Sequence, residues 1–301
     1  KSTKTNNMKS CLIETTGWIG DILFALSIPE KLRKENPTIS RLDFLIDKPQ
    51  PFNLVKNNKF IDNVYFMNIP QDIYNIKYKL PIIQDKSIPP TIQFQRACGI
   101  KNLSTEFKVQ VADQTVMDVN SMLSYITKKK IITYQGDWND RYWALTEKEA
   151  AEKKFDQTGV YSYYKTIRPG NMNYIIANLI DALTDYEFLC IHPFSPDPKQ
   201  NTDPRGFASS PIIYERAAAV ISQSHAFLGA EGGLTNLSSG LGVKTIYTTC
   251  HMYRMYGEQG VISQCKDIQL GPEKLFPGKG HKAISPFALP DEVIKTILNN
   301  I

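Results

Sequence analysis

The sequence predicts an α/β protein of two domains, each a parallel sheet with crossover helices, facing each other across a cleft. The length of 301 residues suits two domains of about 150 residues each. Short apolar runs that read as strands alternate with segments of helical periodicity in both halves of the chain. We therefore expect two Rossmann-like domains, residues 1–125 and 126–301, with the last helix a candidate to pack back on the first domain.

The first half of the chain begins with a strand at residues 11–15. Asp21 then opens a helix that ends before Pro37, because the residue before a proline disfavours helical geometry. Pro29 falls inside this helix and is expected to kink it. The elements predicted after it are a strand at 42–46, a short helix near 52–56 and a strand at 63–66.

The second half repeats this alternation after a linker expected around residues 118–130. Residues 77–108 carry no regular pattern. The predicted strands lie at 131–134, 188–192, 226–228 and 244–247. The predicted helices lie at 171–183, 212–222, 234–241 and 291–299. Such alternation is typical of parallel sheets, whose ligands bind at the carboxyl ends of the strands.

Charge and cysteine usage limit the kind of protein. The net charge is +5 and the lysines are dispersed apart from 128–130, so a nucleic-acid partner is possible but not favoured. The five cysteines form no CxxC pair, which predicts reduced, structural thiols in a cytoplasmic protein. Residues 1–9 are polar, so no signal peptide is expected. No apolar run approaches about 18 residues, so no membrane span is expected, and peripheral membrane contact stays open.

The stretch from Gly229 to Leu237 is the strongest candidate for a ligand site. An apolar run leads into an acid and two glycines, and a helical pattern follows. Glycine lets a ligand approach the backbone, and the unpaired N–H groups of a helix's first turn favour a phosphate. Glu231 would be left to hold hydroxyl groups. A nucleotide diphosphate would rest on Gly232, Gly233, Leu234 and Thr235. The alternative is a strand-to-helix turn that needs glycine for geometry alone.

A second turn, from Gly17 to Asp21, carries a candidate catalytic carboxylate. It is not the G-x-G-x-x-G dinucleotide fingerprint, because its only glycines are Gly17 and Gly20. Asp21 stands where a strand meets a helix, facing the expected cleft. A carboxylate there can accept a proton from an attacking hydroxyl. The alternative is that the helix macrodipole alone favours aspartate in the first turn.

Two parts of the chain carry residues shared with a known family. The residues in the first part are Gly20-Asp21-Ile22-Leu23, Leu26, Pro29, Leu32-Arg33, Pro37, the strand at 42–46 and the phrase at 58–64. They resemble the amino-terminal domain of glycosyltransferase family 9, the ADP-heptose:lipopolysaccharide heptosyltransferases, which have the GT-B fold. Residues 229–237 and 242–245 resemble the family's acid-x-Gly-x-x-His-Leu-Ala stretch and the strand after it. Glu231 and Asn236 stand where the family usually has Asp and His, at positions that the donor or acceptor sugar would contact.

The resemblance implies an inverting glycosyltransferase that moves a sugar from a nucleotide-diphosphate sugar to a hydroxyl acceptor, such as a glycan or a lipid-linked glycan. It makes Asp21 the general base, the helix start at 232–235 the diphosphate site and Glu231 a partner of the donor sugar. Arg141 takes the place near the family's phosphate-binding lysine, unless its segment is an ordinary surface loop. A helix amino terminus and an arginine can stabilise a diphosphate leaving group. The chain also lacks a convincing Asp-x-Asp motif at a strand end, so we expect no metal and no cofactor.

Further candidate contacts lie beside these residues. The candidates for nucleotide or acceptor contact are Gly17, Trp18, Gly20, His192, Phe194 and Asn236. A nucleobase could stack on Phe194 or pack under His192, or the histidine could bond locally at a kinked strand end. The proline-rich loop at 197–205 is either a lid over phosphates or a solvated loop. Two other functions stay open: a phage-type transferase that modifies a DNA base, and a non-catalytic binder of nucleotides or sugars.

Overall fold

A computed structural model describes twelve stretches of the chain. They are residues 8–17, 19–66, 69–70, 72–81, 88–135, 171–191, 211–230, 232–248, 253–256, 261–264, 272–284 and 288–301. The chain divides into two compact units. The first consists of Lys1–Met122, Pro193–Val220 and Gly240–Gly242, and the second of Leu123–His192, Ile221–Ser239 and Val243–Ile301. The predicted division at residue 125 stays a prediction.

The first unit is built on a parallel sheet in the order β3-β2-β1-β4. Its strands are β1 (Lys9–Thr15), β2 (Ile39–Ile46), β3 (Asn63–Phe66) and β4 (Ile76–Lys79). Thr15 pairs with Ile46, so β1 and β2 end side by side. Consecutive residues such as Leu12 and Ile13 are buried, as in a sheet covered on both faces. The predicted strands are confirmed here, and β4 lies at the start of the stretch that showed no pattern.

The helices of the amino-terminal stretch correct one expectation. They are α1 (Ile19–Ala25), α2 (Pro29–Glu35), α3 (Phe52–Lys56), α4 (Pro90–Ala97) and α5 (Asp113–Ile126). The single kinked helix is wrong, because Pro29 begins a separate helix, where its missing N–H costs nothing. The linker expected at 118–130 stays a prediction; helix α5 covers its first part, and the boundary between the two units, from Met122 to Leu123, falls within it. Helix α5 buries Val119 and Leu123 but exposes Met117 and Tyr125. Its apolar residues are therefore spread around the helix, and the sequence shows no clear amphipathic pattern there.

The second unit is built on a parallel sheet in the order β11-β8-β7-β5-β6. Its strands are β5 (Lys130–Gln135), β6 (Tyr186–Ile191), β7 (Ala226–Ala230), β8 (Lys244–Thr248) and β11 (Lys282–Ile284). An antiparallel pair, β9 (Tyr253–Tyr256) and β10 (Val261–Gln264), was not predicted. The helices in this part of the chain are α6 (Asn171–Ala182), α7 (Pro211–Ser222), α8 (Gly233–Gly240), α9 (Pro272–Leu275) and α10 (Pro290–Leu298). The predicted strands and helices are confirmed, with ends shifted by one or two residues.

The core of the second unit explains where the last helix packs. Ile132, Leu228 and Ile246 of neighbouring strands form one buried cluster with Val293 and Ile297 of α10. The buried side chains of α10 thus belong to the second unit's core, and packing of this helix on the first domain stays a prediction. Among the described residues, none of the helices combines the length and apolar character that a membrane span requires.

Candidate functional site

The predicted site residues that the structure describes follow β1 in the first unit and β7 in the second. Gly17 lies in the turn after β1, and Gly20 and Asp21 lie in α1. Gly232 precedes α8, whose first residues are Gly233, Leu234, Thr235 and Asn236. The predicted site residues outside the described part of the chain are Trp18, Arg141, His192, Phe194 and Glu231, together with the loop at 197–205. Both groups thus follow the carboxyl ends of parallel strands, where ligands of such folds bind.

Gly17 and Asp21 are in close contact. The φ angle of Gly17 is +136°, a region that residues with side chains rarely adopt. A Cβ atom added at Gly17 would lie 2.6 Å from the Asp21 Oδ2 atom. Glycine at position 17 therefore serves two purposes, because it permits the backbone turn and leaves room for the Asp21 carboxylate.

Asp47 contacts the same turn, although it was not among the predicted site residues. The Gly17 amide donates a hydrogen bond to the Asp47 Oδ2 atom over 3.3 Å. Asp47 follows β2 directly, and β2 ends beside β1. Gly17 is thus held by one carboxylate at its amide and covered by a second at its α-carbon. An acid immediately after a predicted strand was the available signal, but it points to this site only when the strand order is known.

Thr15, the last residue of β1, adds a buried hydroxyl beside this turn. The residue is 1% exposed, and its Oγ1 atom has no hydrogen-bond partner among the described residues. An unpaired buried hydroxyl costs free energy, so such groups in folded proteins call for an explanation such as a bound water or ligand. The sequence carried no signal for it, because threonine is common in strands.

In the second unit, the turn after β7 is held at Ala230. The Ala230 amide donates to the Gln135 Oε1 atom over 3.1 Å, and the Thr235 hydroxyl donates to the Ala230 carbonyl oxygen. Thr235 is fully buried and Leu234 nearly so. Their side chains therefore face the protein interior, and any contribution of these residues to an anion would come from their backbone N–H groups. Gln135, the last residue of β5, was not among the predicted site residues.

Asn236 is buried in α8. It is 6% exposed, and its Oδ1 atom has no hydrogen-bond partner among the described residues. The backbone N–H of Asn236 donates to the Gly232 carbonyl oxygen over 3.0 Å, so the residue lies one turn into the helix. An unpaired side-chain acceptor at this place would suit a ligand that offers a hydroxyl or amino group.

The described residues contain no group of three or more His, Cys, Asp or Glu side chains placed to hold a metal ion. The groups that the described part of the site offers are therefore carboxylates, hydroxyls, amides and backbone N–H groups. The carboxylates of the first unit can accept a proton, and the amide and backbone N–H groups of the second unit can bind hydroxyl groups and anions.

No protein-family model and no curated protein matches the sequence, whereas several solved structures resemble the fold. A family 9 glycosyltransferase from Veillonella parvula superposes with a TM-score of 0.58 at 12% identity, covering 99% of this chain and 92% of its own. The ADP-heptose lipopolysaccharide heptosyltransferase II of E. coli gives 0.55 at 11% identity, covering 96% and 98%. The iron-containing dodecameric glycosyltransferase TibC of enterotoxigenic E. coli gives 0.55 at 11% identity, covering 97% and 77%.

Identities this low establish a shared fold rather than a shared activity. The matches extend over nearly the whole chain, including both parallel sheets. They confirm the α/β fold class that the alternating strands and helices predicted. The chain therefore has the fold of the solved family 9 glycosyltransferases.

Proposed function

We propose that the protein is a glycosyltransferase that moves a sugar from a nucleotide-diphosphate sugar to a hydroxyl group of an acceptor. The observation that carries the proposal is the Asp21 carboxylate seated over Gly17 after β1, within the fold of the family 9 glycosyltransferases. Fold alone does not fix function. A carboxylate placed in this way supplies the group that sugar transfer requires, namely a base for the attacking hydroxyl.

Asp21 acts on the acceptor in this proposal. Its carboxylate takes the proton of the acceptor hydroxyl as the acceptor oxygen forms a bond to the anomeric carbon of the donor sugar. The bond from that carbon to the β-phosphate oxygen breaks at the same time, and the nucleoside diphosphate leaves with the electron pair. Attack from the face opposite the leaving group inverts the anomeric carbon. Asp47 accepts a hydrogen bond from the Gly17 amide and so stabilises the turn that precedes the helix of Asp21.

The turn after β7 and the start of α8 hold the donor in this proposal. The backbone N–H groups of Gly232 and Gly233 and of the next two residues would meet the diphosphate, with Arg141 adding a positive charge. Glu231 and Asn236 would bond hydroxyl groups of the donor sugar. TibC, which shares the fold with a TM-score of 0.53, has been solved with ADP-D-beta-D-heptose, which supports a nucleotide sugar as the donor class.

We further propose that transfer needs no metal ion and takes place in the cytoplasm. The leaving diphosphate would be stabilised by the helix start and by Arg141 instead of a cation. The acceptor would be a glycan or a lipid-linked glycan. The expected result is that the rate of transfer is the same in EDTA as in buffers containing Mg²⁺ or Mn²⁺, and a rate that falls in EDTA and returns with a cation would refute metal independence.

Thermal unfolding in the presence of a panel of nucleotide sugars and nucleoside diphosphates tests the donor assignment. A ligand at 100 times its dissociation constant stabilises the folded state by about 2.7 kcal/mol, which raises the melting temperature by roughly 5 to 10 °C. The panel contains ADP, UDP and GDP with their hexose and heptose derivatives, and NAD as a comparison. A shift with NAD alone would contradict the proposal.

The Asp21→Asn substitution tests the catalytic assignment. The amide is nearly isosteric with the carboxylate but cannot accept the proton, so transfer should slow by at least about 100-fold. Affinity for the nucleoside diphosphate should stay unchanged, because Asp21 acts on the acceptor hydroxyl in this proposal and not on the diphosphate. Turnover equal to that of the wild type would remove Asp21 from the mechanism and favour a non-catalytic binder.

A further inference from the structure

We propose that Gln135 is a positioning residue for the donor nucleotide, because its side-chain oxygen holds the backbone turn that meets the diphosphate. The inference rests on the proposed function, since it assigns a role within the donor site. It adds a residue from a different strand, 95 positions before Ala230 in the sequence.

The burial of Gln135 indicates that its side chain has a specific partner. It is 3% exposed and ends a strand that is otherwise mostly buried and apolar, including Ile131 and Ile132. Burying a primary amide costs free energy unless it is hydrogen-bonded. The Gln135 Oε1 atom accepts a hydrogen bond from the Ala230 amide over 3.1 Å, and this contact gives one reason for a polar side chain at the end of β5.

Gly229 shows that the neighbouring strand leaves room for this amide. A Cβ atom at position 229 would lie 2.8 Å from the Gln135 Oε1 atom and 2.8 Å from the Phe227 ring. Gly229 is not among the glycines of positive φ, so space rather than backbone geometry explains the glycine. A larger residue would push the Gln135 oxygen away from the Ala230 amide. The missing side chain at Gly229 therefore leaves the space in which the Gln135 oxygen meets the Ala230 amide.

The Ala230 peptide groups are fixed from two directions. Gln135 holds the Ala230 N–H, and the Thr235 hydroxyl holds the Ala230 carbonyl. Residues 232–234, whose N–H groups face the diphosphate in the proposed function, lie between these anchors in the sequence. A turn that is ordered before the ligand arrives does not have to be ordered on binding, which preserves affinity. Loss of the Gln135 hydrogen bond should therefore lower the affinity for the donor and leave the affinity for the acceptor unchanged.

The test compares Gln135→Met with the wild type and with a control, Thr133→Val. Methionine nearly matches the shape of glutamine but offers no strong acceptor, so the dissociation constants for ADP, UDP or GDP, whichever binds, should rise roughly tenfold. The KM for the donor should rise while the KM for the acceptor stays constant. Thr133 lies on the same strand and its hydroxyl donates to the Ala226 carbonyl over 3.5 Å, at the opposite end of β7. Its substitution should leave donor affinity unchanged.

The outcomes distinguish a failure of the proposed function from a failure of the role assigned to Gln135. A wild type that binds no nucleoside diphosphate overturns the proposed function and the role of Gln135 with it. A wild type that binds one, with Gln135→Met binding equally well, overturns the role of Gln135 alone. Equal losses in both variants also overturn it. Should Gln135→Met not fold, hydrogen exchange in the wild type decides, since an anchored Ala230 amide exchanges slowly without nucleotide, whereas rapid exchange there refutes the anchor.

Discussion

Gly17 lies between two carboxylates, with its amide bound to Asp47 and Asp21 placed over its α-carbon. Substitution of such a glycine combines backbone strain with a direct collision. Gly99 provides a comparison in the same unit, since its φ angle is also positive, at +71°, but a Cβ atom there would meet nothing within 4 Å.

We predict that Gly17→Ala removes transfer activity, because the new methyl group would displace the Asp21 carboxylate. The strain should also lower the free energy of unfolding by about 1 to 3 kcal/mol. Gly99→Ala should cost about 1 kcal/mol and leave activity intact. Turnover measurements and urea unfolding of both variants check this. Full activity in Gly17→Ala would show that Asp21 does not need its present position.

His281 is a buried residue whose charge state affects stability. It is 7% exposed, and its Nδ1 atom accepts a hydrogen bond from the Thr245 amide over 3.1 Å. Burial lowers the pKa of His281 from its usual 6.5 to about 4. The neutral ring is therefore the form that the fold accommodates, because a protonated Nδ1 could not accept the bond.

We predict that His281 contributes to a loss of stability in acid. Well above pH 6.5 the ring is neutral in both the folded and unfolded states, so it adds no pH dependence there. Between pH 6.5 and about 4 the unfolded chain binds more protons, so the free energy of unfolding falls as the pH falls, by about 2 kcal/mol at pH 5. His281→Asn keeps an acceptor but cannot titrate in this range. Melting curves from pH 4 to 8 should show a shallower acid decline for the variant, and parallel declines would refute the assignment.

At the scale of the element, α7 shows how one buried carboxylate fixes a helix within the first unit. Glu215 is 8% exposed and accepts hydrogen bonds from the Asn53 and Asn57 side-chain amides, at 2.9 and 2.7 Å, and from the Ala112 amide at 3.3 Å. Asn53 lies on α3 and Asn57 follows it. The carboxylate therefore joins three segments that are far apart in the sequence.

We predict that Glu215→Ala lowers the free energy of unfolding by about 2 to 4 kcal/mol, because three half-buried donors lose the acceptor that they share. Glu30 offers a matched control. It forms an exposed pair with Lys34 at 2.7 Å one turn along α2, and its loss should cost about 0.5 kcal/mol or less. Denaturant unfolding of the two alanine variants measures the difference. Similar losses in both would mean that the Glu215 contacts are weak.

Arg33 and Asp62, which belong to the family resemblance, have a structural role. The Arg33 guanidinium pairs with the Asp62 carboxylate and donates to the Phe60 carbonyl oxygen. Asp62 also accepts from the Leu42 amide over 2.6 Å. These contacts tie α2 to the beginning of β2 and to the turn before β3, at the end of the sheet opposite Asp21. A sequence motif shared with an enzyme family can thus record packing rather than catalysis.

At the scale of the whole molecule, neither of the two units is a single continuous segment of the chain. Pro193–Val220 and Gly240–Gly242 belong to the first unit although the sheet strands around them belong to the second. The Gly240 carbonyl accepts a hydrogen bond from the Val109 amide over 2.9 Å. Division of the chain near residue 125 would place Val109 and Gly240 on different fragments.

We predict that residues 126–301 expressed alone do not melt cooperatively. The fragment lacks Asn53 and Asn57, the partners of Glu215, and it lacks the Val109 amide that binds Gly240. Calorimetry and binding of a hydrophobic dye to the fragment check this, and co-expression with residues 1–125 should restore a cooperative transition. A sharp melting transition of the isolated fragment would show that it is an independent folding unit.

The sequence by itself determined the alternation of strands and helices and the positions of the Gly17 and Gly232 turns. These features depend on local patterns, namely apolar runs, helical periodicity and glycines at turns. Helices α4, α5 and α9 were missed. The local signal is weak in α5, since this helix exposes several apolar residues and buries only a narrow stripe. The Pro29 error has a similar origin, because one proline can kink a helix or begin a new one.

Only the tertiary structure decided which side chains meet at each turn. Asp47 reaches Gly17 because β2 lies beside β1, and Gln135 reaches Ala230 because β5 lies beside β7. Likewise, Glu215 meets Asn53 across 162 positions of sequence. The order of strands in a parallel sheet results from packing between distant segments, and no local pattern encodes it. The sequence could therefore nominate Asp21 and the Gly232 turn, whereas the residues that hold them in place became visible only in the folded chain.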